Sequence, residues 1–92
     1  MKLRSKNSTG RVFLGRHIIV DPRICHGQPT FVGTRIMVSQ VLRQIGRGMS
    51  ADSITQEWRG SVTREAIAEA VELANRAFVE HAPEYALESA PK

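Results

Sequence analysis

Residues 18–38 read IIVDPRICHGQPTFVGTRIMV, and this run decides how the chain folds. Short apolar segments alternate in it with residues that favour turns. Asp bonds its own downstream backbone, Pro fixes φ and Gly permits a positive φ, so we expect turns at these residues. The predicted turn residues are Asp21, Pro22, Gly27, Pro29 and Gly33. The apolar segments predict short strands at 18–20, 30–32 and 35–38, which are too short to stand as a sheet alone.

The residues before this run add little regular structure. Residues 11–16, RVFLGR, form a short apolar patch that predicts an additional edge strand. Residues 1–10 are polar and basic without periodicity, and they predict a mobile arm.

After Val38 the hydrophobic period changes from two to about 3.6, which predicts helices. The first begins near Ser39 and ends at the glycines 46 and 48, because helices often end at a glycine. The second spans 51–58 with Ser50 as N-cap, and the third spans 64–81 with Thr63 as N-cap.

The third predicted helix is the longest and is amphipathic. One face predicts packing against the rest of the domain and consists of Ile67, Ala70, Val71, Ala74, Ala77 and Phe78. The opposite face is mostly glutamate. Residues 83–92, PEYALESAPK, predict a loose tail that carries Tyr85 and Leu87.

These elements predict a mainly α fold: a three-helix, homeodomain-like or helix-turn-helix unit with a short N-terminal β-element. The predicted organisation is a basic arm at 1–10, one domain at 11–82 and the tail at 83–92. Ninety-two residues support one small core, so a homodimer is a reasonable expectation.

The charge is unevenly distributed along the chain. Residues 1–62 hold ten Lys and Arg against three acids, a net +7, whereas residues 63–92 hold three bases against six glutamates, a net −3. A basic body favours a polyanionic partner such as nucleic acid. The sequence shows no membrane-length apolar stretch and no signal-peptide core, so a cytoplasmic protein without a membrane partner is expected.

The candidates for metal ligation or nucleophilic catalysis are His17, Cys25, His26 and His81. Their spacing matches no zinc pattern, and Cys25 is the single cysteine. No phosphate-binding glycine-rich loop occurs. The sequence therefore predicts neither an enzyme nor a metal, cofactor or small-molecule substrate.

The pattern I-x-x-D-P-x-I-C-H-G-x-P from Ile18, followed by G-T-R-I-x-V from Gly33, closely resembles the family called domain of unknown function 433. The resemblance covers about residues 16–75. It implies a small, commonly dimeric helix-turn-helix fold with an N-terminal β-element. It also implies the antitoxin of a VapBC-like type II toxin–antitoxin pair whose toxin is a PIN-like nuclease.

Two hypotheses follow. The first is a dimeric antitoxin that binds double-stranded DNA at its own promoter and neutralises the nuclease through its C-terminal region. Its expected DNA contacts are Arg35, Arg43, Arg47, Arg59, Thr63 and Arg64, and its expected toxin contacts are Phe78, Tyr85 and Leu87. For Arg35 a bond to Asp21 or to loop carbonyls is an equal alternative. The second hypothesis is a protein-interaction module that binds no DNA.

Overall fold

The computed structural model describes residues 10–87, which form a small antiparallel sheet followed by three α-helices. The strands are β1 (Val12–Phe13), β2 (Ile18–Val20) and β3 (Thr30–Phe31), and the helices are α1 (Val38–Gly46), α2 (Ala51–Glu57) and α3 (Arg64–Glu80). Short 3-10 segments occupy Cys25–Gly27 and Ala82–Tyr85. The predicted arm at 1–10, apart from Gly10, and the last five residues of the predicted tail lie outside the described residues.

The sheet has the order β1-β2-β3, and both pairings are antiparallel. Phe13 lies opposite Ile19, and Ile18 lies opposite Phe31. Ile18 and Phe31 are both almost fully buried, so this cross-strand pair anchors the sheet to the helices. Strands predicted at 18–20 and at the start of 30–32, and the edge strand within 11–16, are confirmed.

The strand predicted at 35–38 is wrong. This segment makes only an isolated bridge, in which Met37 lies opposite Thr30, and the Phe31 amide donates to the Ile36 carbonyl at 3.1 Å. Because α1 begins at the last residue of the segment, too few extended residues remain after the turn for a strand to form.

Two of the three helices begin at the predicted capping residues. The Ser50 hydroxyl accepts the amide hydrogen bond of Ser53, and the Thr63 hydroxyl accepts that of Ala66, each at 3.1 Å. Each cap satisfies one amide that the first helical turn leaves unpaired. The sequence signals for the starts of α2 and α3 are therefore confirmed.

The first helix begins differently from the prediction. Met37 is the N-cap, and the Gln40 side chain accepts the Met37 amide hydrogen bond at 2.8 Å. Ser39 lies inside the first turn and is exposed. The glutamine three residues past the cap thus gives the N-cap amide an acceptor, as the glutamine of a capping box does.

The core draws on the sheet, all three helices and the loop between α2 and α3. It is built from these buried residues: Ile18, Phe31, Val38, Val41, Ile54, Val62, Ala66, Ile67 and Ala70. Val62 comes from the loop and is fully buried. Burial of this side chain anchors the turn between the two helices.

α3 packs against the domain only as far as Leu73, so the predicted packed face extends too far. Ile67 and Ala70 are buried, but Val71, Ala74, Ala77 and Phe78 are exposed. The reason is length: α3 has 17 residues and spans about 26 Å, whereas the nine residues of α1 span about 14 Å. The outer half of α3, residues 71–80, therefore extends beyond the helices that could cover it.

Glu69 fixes the β-hairpin onto α3. Its two carboxylate oxygens accept the backbone amide hydrogen bonds of Arg16, at 2.8 Å, and of His17, at 2.7 Å. The hydrogen bond from the His17 amide is the main reason that the pKa of Glu69 is held below its ordinary value. One carboxylate thus joins the loop between β1 and β2 to the middle of the last helix.

No helix among residues 10–87 combines the length and the apolar character that crossing a bilayer requires.

Replacement of Glu69 by alanine should lower the free energy of unfolding by roughly 1–3 kcal/mol at pH 7, because two amides lose a charged acceptor. The folded-state pKa of Glu69 is lowered, so its contribution is complete above the ordinary glutamate pKa of 4.5 and is lost as the pH falls through the folded-state value. Urea unfolding at several pH values measures this. Glu72→Ala, at an exposed position of the same helix, is the control. Equal losses for the two variants would contradict the assignment.

Gly15 is the second point at which this contact can be tested. A Cβ atom at Gly15 would lie only 2.5 Å from a Glu69 carboxylate oxygen. We expect Gly15→Ala to destabilise the protein by displacing the carboxylate, and to cost much less once Glu69 is already alanine. A double-mutant cycle in urea measures the coupling. Additive effects would show that the glycine is required for another reason.

Candidate nucleic-acid interface

An open, basic groove lies along the exposed side of α1. Arg43 and Arg47 are one helical turn apart and line it together with Gln40, Gln44 and Trp58, and its volume is about 250 Å³. Side chains at i and i+4 share a helix face, so the two guanidinium groups lie on the same wall. No carboxylate lines the groove. The arrangement can bind an anionic group through charge-assisted hydrogen bonds.

Trp58 connects this groove to the end of α2. Its indole nitrogen donates a hydrogen bond to the Gln44 side-chain oxygen at 2.8 Å. Trp58 is half-buried and packs against the core, so the hydrogen bond sets the position of the groove wall relative to α2. Sequence reasoning did not place Trp58 in this groove.

The turn from α2 to α3 and the first residue of α3 together carry three of the predicted DNA-contact residues. Arg59 is exposed and has a left-handed backbone with φ of 54°, and the following Gly60 has φ of 82°. Thr63 is the N-cap of α3. Arg64 forms an exposed ion pair with Asp52 at 3.2 Å. This pair partly offsets the positive charge where α3 begins.

Arg35 lies in a different place from Arg43 and Arg47. It lines a cavity of about 400 Å³ beside the sheet, together with Arg11, Arg23 and Asp21. The structure therefore divides the predicted DNA-contact arginines among the α1 groove, the α2–α3 turn and this cavity.

Asp21 is bonded by Arg23, and the alternative that paired Asp21 with Arg35 is wrong. The buried Asp21 carboxylate accepts from the Arg23 backbone amide at 2.9 Å and from its guanidinium nitrogens at 3.2 and 3.1 Å. The hydrogen bond from the Arg23 side chain lowers the pKa of Asp21 and raises that of Arg23. The sequence signal was that Arg23 follows Asp21 by two residues, because an aspartate side chain can accept the hydrogen bond of the amide two residues after it.

The other predicted turn residues lie in the connections that join β2, β3 and α1. Gly27 and Gly33 both have φ of 81°, a conformation that glycine adopts without strain. The Pro29 carbonyl accepts the amide hydrogen bond of Val38 at 2.9 Å, and Pro22 follows the buried Asp21. These residues therefore shape the connections of the β-element.

Cys25 and His26 begin the 3-10 segment Cys25–Gly27, which lies between β2 and β3. Cys25 and His26 have positive φ values of 50° and 56°, and the Cys25 thiol donates to the Arg35 carbonyl at 3.4 Å. Among residues 10–87 no three His, Cys, Asp or Glu side chains are grouped so that they could hold a metal ion.

The predicted toxin contacts lie at and beyond the end of α3, and all are exposed. Phe78 and Tyr85 form a tilted aromatic pair with ring centroids 5.5 Å apart. Leu87 is 70% exposed. The 3-10 segment Ala82–Tyr85 brings the tyrosine back towards α3, which gives part of the predicted loose tail a defined path.

Comparison with solved structures finds a similar fold in a larger protein. The crystal structure of Rv2018 from Mycobacterium tuberculosis has a TM-score of 0.58 with 25% sequence identity. The match covers 66% of this chain but 29% of that chain, so this chain corresponds to less than a third of Rv2018. No curated protein matches the sequence.

Comparison with known families gives a direct match. The family described as protein of unknown function, DUF433, matches residues 18–74, from the second strand into the outer half of α3. The matched segment includes the turn-rich run, the core and the basic groove. The chain therefore belongs to the DUF433 family.

Proposed function

We propose that this chain is a cytoplasmic, dimeric DNA-binding antitoxin of a type II toxin–antitoxin pair, with a homeodomain-like helix-turn-helix unit. The observation that carries the DNA-binding part is the groove of Arg43, Arg47 and Trp58, which has two guanidinium groups and no carboxylate. Guanidinium groups bind phosphates in a forked geometry. The antitoxin part and the PIN-like nuclease partner rest on the family resemblance.

In this proposal α1 supplies the main phosphate contacts, and α3 contributes only its start. A recognition helix presents its N-terminal residues to the DNA bases. Here Arg64 is paired with Asp52, and Glu65 follows it. Carboxylates close to phosphates cost Coulomb energy. We therefore expect the groove of α1 to contribute more to affinity than the first turn of α3.

The remaining predicted contacts take secondary roles. Arg59 and Thr63 lie in the turn between α2 and α3, next to Trp58, where they can extend the phosphate contacts. Arg35 lies at the sheet-side cavity and would reach DNA only if the bound duplex passed that side as well.

The second candidate function is a protein-interaction module without DNA binding. The exposed outer half of α3 favours it, because Val71, Phe78 and Val79 lie uncovered among glutamates. In this case the net positive charge of residues 1–62 would only keep the protein soluble. The two candidates differ in whether the protein binds DNA at low salt.

An electrophoretic shift on the DNA upstream of the protein's own gene, titrated with salt, tests the proposal. Each phosphate contact adds about 0.9 to the slope of log affinity against log salt concentration. Arg43→Ala and Arg47→Ala should each reduce the slope by about that amount. Arg76→Ala is the control, because it removes one exposed charge from the outer half of α3.

A missing shift at low salt would contradict DNA binding and favour the interaction module. An equal loss of slope in Arg43→Ala and Arg76→Ala would show that only net charge matters and that the groove is not the DNA surface.

A further inference from the structure

Apolar side chains line one side of α3, from the domain body to the outer half of the helix. At the inner end of this surface is a groove of about 160 Å³ between α1, α3 and the β-hairpin. Its lining residues include Leu14, Leu42, Ala70, Leu73 and Ala74. Ala77 and Phe78 continue the same side of the helix, one turn further on, and Phe78 is 58% exposed.

We propose that a second copy of this chain covers this surface, with the two α3 helices packed antiparallel. An antiparallel pair centred between Ala74 and Ala77 places Ala74 of one copy opposite Ala77 of the other. The same alignment places Phe78 opposite Leu73, at the mouth of the groove. The alanines at the crossing point let the helix axes approach to about 8 Å, the close end of the usual range. Two-fold symmetry then produces each contact twice.

The charge distribution of the described residues favours this orientation. Residues 10–62 hold seven arginines against three acids, a net +4, whereas residues 71–87 hold Arg76 against three glutamates, a net −2. Antiparallel packing carries the acidic end of each helix towards the basic body of the partner. Glu80 and Glu84 would then approach the hairpin that bears Arg16. A parallel pair would instead place like charges side by side.

Covering the outer half of α3 would also lower the free energy of the protein. Leu73 is the last residue of α3 that packs against the core, residues 74–80 are all exposed, and so short a helical segment is marginal in water by itself. Burial of Phe78 and Val71 in a dimer would remove apolar area that now faces solvent. Nucleic acid is a poor alternative occupant, because the glutamates of this half would repel phosphates.

This inference deepens the proposed function, on whose homodimer it rests, by assigning the dimer surface to α3. In the dimer inferred here Phe78 is covered, which leaves Leu87 and the outer edge of Tyr85 for a nuclease partner. A nuclease that required Phe78 would have to displace the second copy.

The test is the mass of the full chain in solution, measured by sedimentation equilibrium without DNA over a range of concentrations. The wild type should approach twice 10.2 kDa. Phe78→Glu should shift it to the mass of one chain, whereas Val79→Glu should leave the dimer intact. Val79 is the matched control, because it is 65% exposed on the opposite side of the same helix. Circular dichroism checks that both variants keep their helices.

Disulfide trapping tests the alignment itself. In a Cys25→Ser background, chains with Ala74→Cys mixed with chains carrying Ala77→Cys should form a linked dimer on mild oxidation, and a Val79→Cys chain should not. A monomeric wild type, equal dissociation by Phe78→Glu and Val79→Glu, or dissociation by Phe13→Glu alone would overturn the inference. Dissociation by Phe13→Glu alone would show that the dimer interface lies on the sheet and not on α3. Since no DNA is present, these outcomes are independent of whether the protein binds DNA.

Discussion

The Glu69 carboxylate joins the β-element to the helices, because it holds the hairpin on α3. The two amides that it accepts are 52 and 53 residues away in sequence. A carboxylate that accepts two amide hydrogen bonds replaces the water that these amides would otherwise need. The contact also explains the glycine at position 15, where a side chain would collide with the carboxylate. The buried pair of Ile18 and Phe31 can then pack on the helices from a sheet that is too short to be stable alone.

The last helix has two parts with different environments. Its first half contributes Ala66, Ile67 and Ala70 to the core, whereas all residues after Leu73, from 74 to 80, are exposed. The charge follows this division, since glutamates dominate the exposed half and arginines dominate the body. The charges therefore favour phosphate binding at α1 and protein binding at the outer half of α3. The two hypotheses raised by the sequence concern different faces of the molecule.

Local signals in the sequence predicted the local structure well. The change in hydrophobic period located the helices, and Ser50 and Thr63 located two helix starts, because these effects act within a few residues. Contacts between distant residues could not be predicted. Glu69 was one of several glutamates on a polar face, and nothing near it in sequence indicates a partner in the hairpin. Periodicity also could not show where the covering helices end, so Phe78 was wrongly assigned to a packed face.

The candidate site was partly predictable for the same reason. Arg43 and Arg47 were both expected to contact DNA, and their i, i+4 spacing explains why both line one groove. The position of Arg35 depends on the direction in which the turn at Gly33 leads the chain. Asp21 is bonded by Arg23, which is closer to it in sequence than Arg35 is. Trp58 entered the groove through its hydrogen bond to Gln44, a contact between residues 14 positions apart. Side chains brought together by tertiary packing were therefore the ones that sequence reasoning missed.

Trp58 is the single tryptophan of the chain, and its indole lies between the α1 groove and the core. Its fluorescence therefore arises from one known place. The emission wavelength of an indole depends on the polarity around it and on whether its N–H group is bonded. An anion that enters the groove, or a shift of α1 relative to α2, would change the environment of this one ring. The protein thus carries an intrinsic optical reporter at the surface where ligand binding is of most interest.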